Sequence, residues 1–166
     1  MVESDFHLQA FGAAVASATT ADACWAALAA LAAEVAGFKL FTVTAVDMTA
    51  GLARRSFSTN PQAYPVSGTK PIHRDAWFET VHGRREMFIA NTLAAIAQVF
   101  PDHELIGSLG CGSVVNLPVV LANELAATVN LLAAEHHYTA TRVAAIGRHL
   151  PVPAQLAVLA ARQLGS

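Results

Sequence analysis

Apolar residues recur at three- and four-residue steps through the first 36 positions: Phe11 and Val15, then Trp25, Leu28, Leu31 and Val35. This is the period of a helix with one buried face. Thr19-Thr20-Ala21-Asp22 offers capping side chains that split the stretch into two helices, and Gly37 supplies the stop. From Phe38 to Val46 β-branched and aromatic residues crowd together, which predicts a strand, and a second strand from Leu52 to Thr59 folds back on it and ends at Asn60-Pro61. Residues 60–74 contain three prolines and no apolar period, so they are expected to form an ordered loop long enough to carry function. His73 to His82 reads as a short helix with Trp77 and Val81 inward, Met87 to Ala90 as a short strand, and Leu93 to Phe100 as a helix capped by Thr92, after which Pro101-Asp102 restarts the chain. Gly112 to Leu121 and Leu125 to Ala133 are long apolar runs around a turn at Asn123, the pattern of a central hairpin. Thr139 caps a helix carrying Val143, Ile146 and Leu150, and Pro151-Val152-Pro153 breaks it before a last helix with Leu156 and Leu159.

This order predicts an α+β fold in one domain: helices over 1–36, an antiparallel sheet with its loops over 38–133, and helices over 139–164. Composition narrows the role. Hydrophobic residues make up 54% of the 166, charged residues 13%, and the formal net charge is -2. Disorder is excluded, and the core needs neither disulfide nor metal. Basic residues never run longer than the pairs Arg54-Arg55 and Arg84-Arg85, which argues against nucleic acid or an anionic membrane as partner. Two cysteines, Cys24 and Cys111, without a CxxC spacing suit a reducing compartment. With no secretory-type N-terminus and no long uninterrupted apolar run, the expected location is the cytoplasm. Alanine accounts for 35 residues, 14 of them between positions 4 and 36. Small residues permit close helix packing, and the surplus on the terminal helices predicts a homodimer built through them.

The segments FKLFTVTAV, RRSFSTNP and FPDHELIGSLGCGSVVNLPVVLANELAATVNLLAAEHHYT resemble a GAF domain, over nearly the whole chain. The most specific stretch is Ile106 to Tyr138, where Pro118, Asn123, Thr128-Val129-Asn130-Leu131 and Tyr138 take positions typical of that family, and Ala127 stands where a glycine is usual. The resemblance implies a PAS-related antiparallel sheet of five to six strands. The terminal helices would bundle on one face, and loops and short helices would lie over a small-molecule pocket on the other. It implies a sensory or regulatory binding module, here standing alone, with no particular ligand.

The enzymatic alternative is the free methionine sulfoxide reductase type of GAF protein, which needs a thiolate and a resolving thiol. Only Cys111, at a small-residue turn, is placed to border a pocket; Cys24 falls on a packed helix face. A bilin or haem cofactor finds no support: Cys111 is followed by Gly112-Ser113, and His136-His137 read as a solvated helix N-terminus. No metal-ligand spacing occurs. A structural dimerisation module is the third reading. The candidate ligand-binding residues come from two places. Asn116, Thr128 and Asn130 are polar positions within apolar strands; a three-residue turn would put Asn116 opposite Asn130 and Pro118 opposite Thr128. The second group is Arg54, Arg55, Ser58, Asn60, Tyr64 and Lys70, suited to an anionic molecule, with Trp77 and Cys111 completing the set. Strict alternation from Ala53 places Arg54, Ser56 and Ser58 on one face and Phe57 on the other; a one-residue slip would exchange Arg54 for Arg55.

Overall fold

The computed structural model describes residues 2–165. The chain opens with helices α1 (Val2–Ser17) and α2 (Ala21–Val35). Thr20 divides them by accepting a hydrogen bond from the Ala23 amide at 3.2 Å. Gly37, at φ +75°, ends α2, and its amide and that of Ala36 both close on the Ala32 carbonyl. Strands β1 (Leu40–Asp47) and β2 (Leu52–Ser58) follow, then the two-residue β3 (Lys70–Pro71) inside the stretch expected to be loop. The predicted helix after it is α3 (Ala76–Phe78), which widens at once into a π turn over residues 79–83. Next come β4 (Phe88–Ala90), α4 (Leu93–Ala97) and α5 (His103–Ser108), a helix too short for its apolar period to show in the sequence. The long hairpin is β5 (Ser113–Leu121) with β6 (Glu124–Ala133), and α6 (Ala140–His149) and α7 (Pro151–Gln163) end the chain. Pro151 bends α6 against α7 by 48°. Among the described residues no single helix is long and apolar enough to cross a membrane.

The six strands form one antiparallel sheet in the order β3-β2-β1-β6-β5-β4. Phe41 and Val43 of β1, Val115 and Leu117 of β5, and Val129 and Leu131 of β6 point to one face, where α2, α6 and α7 cover them. Alanine makes that cover close. Ala154, Ala157 and Ala161 of α7 are fully buried alongside Ala32, Leu28 and Trp25 of α2, with no long side chain to hold the helices apart. The opposite face carries a smaller apolar cluster of Leu40, Ile96, Ile106, Val114 and Leu132. Tyr138 ties the ends of the layer together: its hydroxyl donates to the Gly37 carbonyl at 3.1 Å. His137 is half-buried and contacts the Ala36 carbonyl through Nε2 at 2.8 Å, so of the pair read as solvated only His136 is exposed.

Two β-bulges set which side chains reach the second face. Residues Ala122 and Asn123, at φ 48° and 67°, make a two-residue hairpin turn, shorter than the three residues expected. A register shift between Val119 and Val120 restores the missing residue, and Asn116 lies opposite Asn130 and Pro118 opposite Thr128 as anticipated. On β2, Phe57 pairs with Val43 and Arg55 with Thr44, leaving Ser56 as the extra residue. Phe57 therefore packs in the helix-side core while Arg55, two positions away, turns to the other face beside Thr44.

Candidate functional site

On the face away from the helix bundle the sheet floors a cavity of about 320 Å³. Its floor is a chain of side-chain hydrogen bonds across three strands. Trp77 Nε1 donates to Asn116 Oδ1 at 2.9 Å, Asn116 Nδ2 donates to Asn130 Oδ1 at 2.7 Å, and Asn130 Nδ2 donates to the hydroxyls of Thr42 and Thr44 at 3.1 and 3.2 Å. Buried amides need partners, and here each satisfies the next. The π turn and the Asp75 cap, whose carboxylate accepts from the Phe78 amide at 2.9 Å, hold Trp77 over the sheet so that its indole reaches β5.

The wall comes from the loop 60–74 and the start of α5. Tyr64 is buried and its hydroxyl donates to Asp102. Burial first, and then the Asp102 carboxylate, push the phenol above its ordinary range, while Arg55 pulls it back; the group stays protonated and serves as a donor. The Arg55 guanidinium lies 3.7 Å from the centre of the Tyr64 ring and donates to the Pro65 carbonyl at 2.7 Å, so the cation is stacked and held at the cavity wall. Lys70 of β3 lines the same cavity from the sheet edge, positioned by the pairing of Ala53 with Lys70. A second lobe of about 270 Å³, lined by Ile72, Phe78, Val99 and Leu125, shares Thr44, Trp77, Phe100, Pro101 and Thr128 with the first.

Seven of the eleven sequence candidates thus meet in one cavity: Arg55, Tyr64, Lys70, Trp77, Asn116, Thr128 and Asn130. Four are not brought there. Arg54 sits opposite Ala45 and lines a separate groove on the other face, beside Trp25 and Arg162, because the Ser56 bulge shifts the alternation. Ser58 and Asn60 close a local turn: Ser58 accepts from the Asn60 amide at 3.1 Å, and Asn60 Oδ1 accepts from Ala63 at 3.2 Å. Cys111 is buried in the cluster with Leu40 and Ile106 without lining the cavity. Residues the sequence did not single out are Asp102, Thr42, Thr44 and Phe100. The two threonines alternate with Phe41 and Val43 along β1, a signal that could have found them.

The two thiols lie on opposite faces of the sheet, Cys24 in the helix-side core and Cys111 in the smaller cluster. Burial pushes both above the ordinary thiol range, with Lys39 pulling Cys111 back, which is the reverse of an activated thiolate. A nucleophile and resolving-thiol pair is not formed. No three His, Cys, Asp or Glu side chains gather as a metal site among the described residues.

No protein-family model matches the sequence, and no curated protein matches it. Solved structures do resemble the fold. The GAF domain of a two-component sensor histidine kinase from Bacillus halodurans matches with a TM-score of 0.70 at 10% identity, covering 90% of this chain and 100% of that one. The GAF domain of a phosphoenolpyruvate-protein phosphotransferase from Coxiella burnetii matches with a TM-score of 0.69 at 15% identity, covering 98% and 96%. Free methionine-R-sulfoxide reductase from Neisseria meningitidis, solved with its substrate, matches with a TM-score of 0.64 at 16% identity, covering 97% and 93%. At these identities the likeness speaks for the fold, and on that ground the chain is a GAF-fold protein.

Proposed function

We propose that this protein is a sensory or regulatory module that binds a small molecule in the cavity between the sheet and the loop 60–74. The carrying observation is that seven polar or aromatic side chains from β2, the loop 60–74, α3, β5 and β6 converge on one cavity of ligand-pocket size. Neighbours of the same fold taken from a sensor kinase and a methyl-accepting chemotaxis protein support the reading. Occupancy acts on whatever the terminal helices contact, because the ligand face and the helix face are the two sides of one sheet.

Native mass spectrometry of the purified protein tests this. Extra mass that leaves on denaturation is expected, retained by Arg54→Gln and lost in Thr44→Phe, which fills the neck shared by the lobes. In a thermal-shift screen, a true ligand at about a hundred times its Kd adds about 2.7 kcal/mol, a rise of roughly 5–10 °C for a chain of this size. No bound mass and no metabolite that stabilises the protein would sink the reading.

The terminal helices carry a second part of it. Phe6 and Leu8 on α1 and Val152, Leu156 and Leu159 on α7 are exposed. We infer that these faces meet a second copy in a homodimer. Size exclusion with light scattering is expected to give twice the chain mass at micromolar concentration and half that value for Phe6→Glu with Leu159→Glu; a wild-type monomer would refute it.

A further inference from the structure

The hydrogen-bond chain on the cavity floor has a direction, and the direction says what kind of ligand head the cavity takes. The indole Nε1 of Trp77 can only donate. Asn116 Oδ1 must therefore face it, which turns Asn116 Nδ2 toward Asn130 Oδ1 and leaves Asn130 Nδ2 to donate to the hydroxyls of Thr42 and Thr44. Both hydroxyls have accepted a hydrogen bond and hold a proton to give, and both line the cavity. Thr128 lines it too and is 1% exposed. The floor is thus a row of donors, and the wall adds the Lys70 ammonium and the Arg55 guanidinium. One carboxylate, Asp102, also lines this lobe, but its Oδ2 is occupied by the Tyr64 hydroxyl. The second lobe is lined by Val46, Ile72, Phe78, Val99 and Leu125 together with His73 and Asp75, whose Oδ1 is taken by the Phe78 amide, and its largely apolar lining offers room for an apolar body.

Resting on the small-molecule reading above, we propose that the ligand is a carboxylate with an apolar, ring-sized body. The carboxylate lies on the threonine hydroxyls within reach of Lys70 and Arg55, and the body passes the Thr128 neck into the lobe under Phe78. The charge on the cavity selects the head, and the lobe selects the tail.

Three probes with one body and different heads test this: 3-phenylpropionate, 3-phenylpropanol and 3-phenylpropylamine, titrated into the 15N-labelled full chain. The acid is expected to shift the amide resonances of Thr42, Asn116 and Thr128 and the Trp77 indole resonance saturably, with a Kd about tenfold or more below that of the alcohol, as a charge-assisted contact provides. The amine is expected to give no saturable shift. Lys70→Gln, at the exposed edge strand, should weaken the acid about three- to tenfold and leave the alcohol unchanged. Thr128→Val, nearly isosteric, should weaken the acid without lowering the melting temperature of the free protein. An alcohol or amine that binds as tightly as the acid at these resonances overturns the carboxylate and leaves the small-molecule reading standing. No saturable shift with any probe also overturns it, and bound mass in the native spectrum then decides the broader reading separately.

Discussion

Replacing Asn130 with leucine is expected to lower the stability of the free protein by about 3 kcal/mol, the cost of stranding more than one buried polar group. Asn130 is the middle of the floor. Without it Asn116 Nδ2 loses its acceptor, and the Thr42 and Thr44 hydroxyls lose their donor. Leucine adds apolar surface at a buried site but can satisfy none of them. Urea denaturation followed by tryptophan fluorescence should show the midpoint fall with an unchanged slope, and for a chain of this length the melting temperature should drop by roughly 6–12 °C. Thr44→Val on the Asn130→Leu background should then cost less than Thr44→Val alone, since the partner is already gone. Additive effects would show that the chain of hydrogen bonds does not act as a unit.

Ala157→Leu is expected to cost about 2–3 kcal/mol, at the upper end of what overpacking does to a close-packed interior. Ala157 has no exposure and lies on the face that α7 turns to α2 and the sheet. The side chain added there has no void to fill, so α7 must move away from Trp25 and Leu28. The matched control is Ala30→Leu on the exposed side of α2, which should change stability by less than about 0.5 kcal/mol. Equal losses at the two positions would mean that helix propensity, rather than the narrow gap between α2 and α7, explains the alanine surplus.

Much of this molecule follows from local physics. Thr20, Thr92 and Thr139 each cap the helix that the apolar period announces, and Gly37 ends α2 where a positive φ is needed. The central hairpin and the pairing of Asn116 with Asn130 follow from two long apolar runs interrupted by polar residues at matching distances. The elements that could not be read are those too short to show a period: β3, the π turn and α5. Their conformations are imposed by what they pack on, β2 for β3 and the second face of the sheet for the other two. Asp102 escaped for the same reason, since it becomes a wall residue only through the loop that brings Tyr64 to it.

By itself, the sequence determined the order of the longer helices and strands, the sheet faces of the central hairpin and seven of the side chains that meet in the cavity. Only the tertiary structure decided which of two adjacent arginines joins it. Strict alternation along β2 sends Arg54 with Ser56 and Ser58, yet the pull of Phe57 into the helix-side core and the pairing of Arg55 with Thr44 are both met by extruding Ser56. A bulge depends on what two partner strands bury on either side of it, information that no stretch of β2 contains.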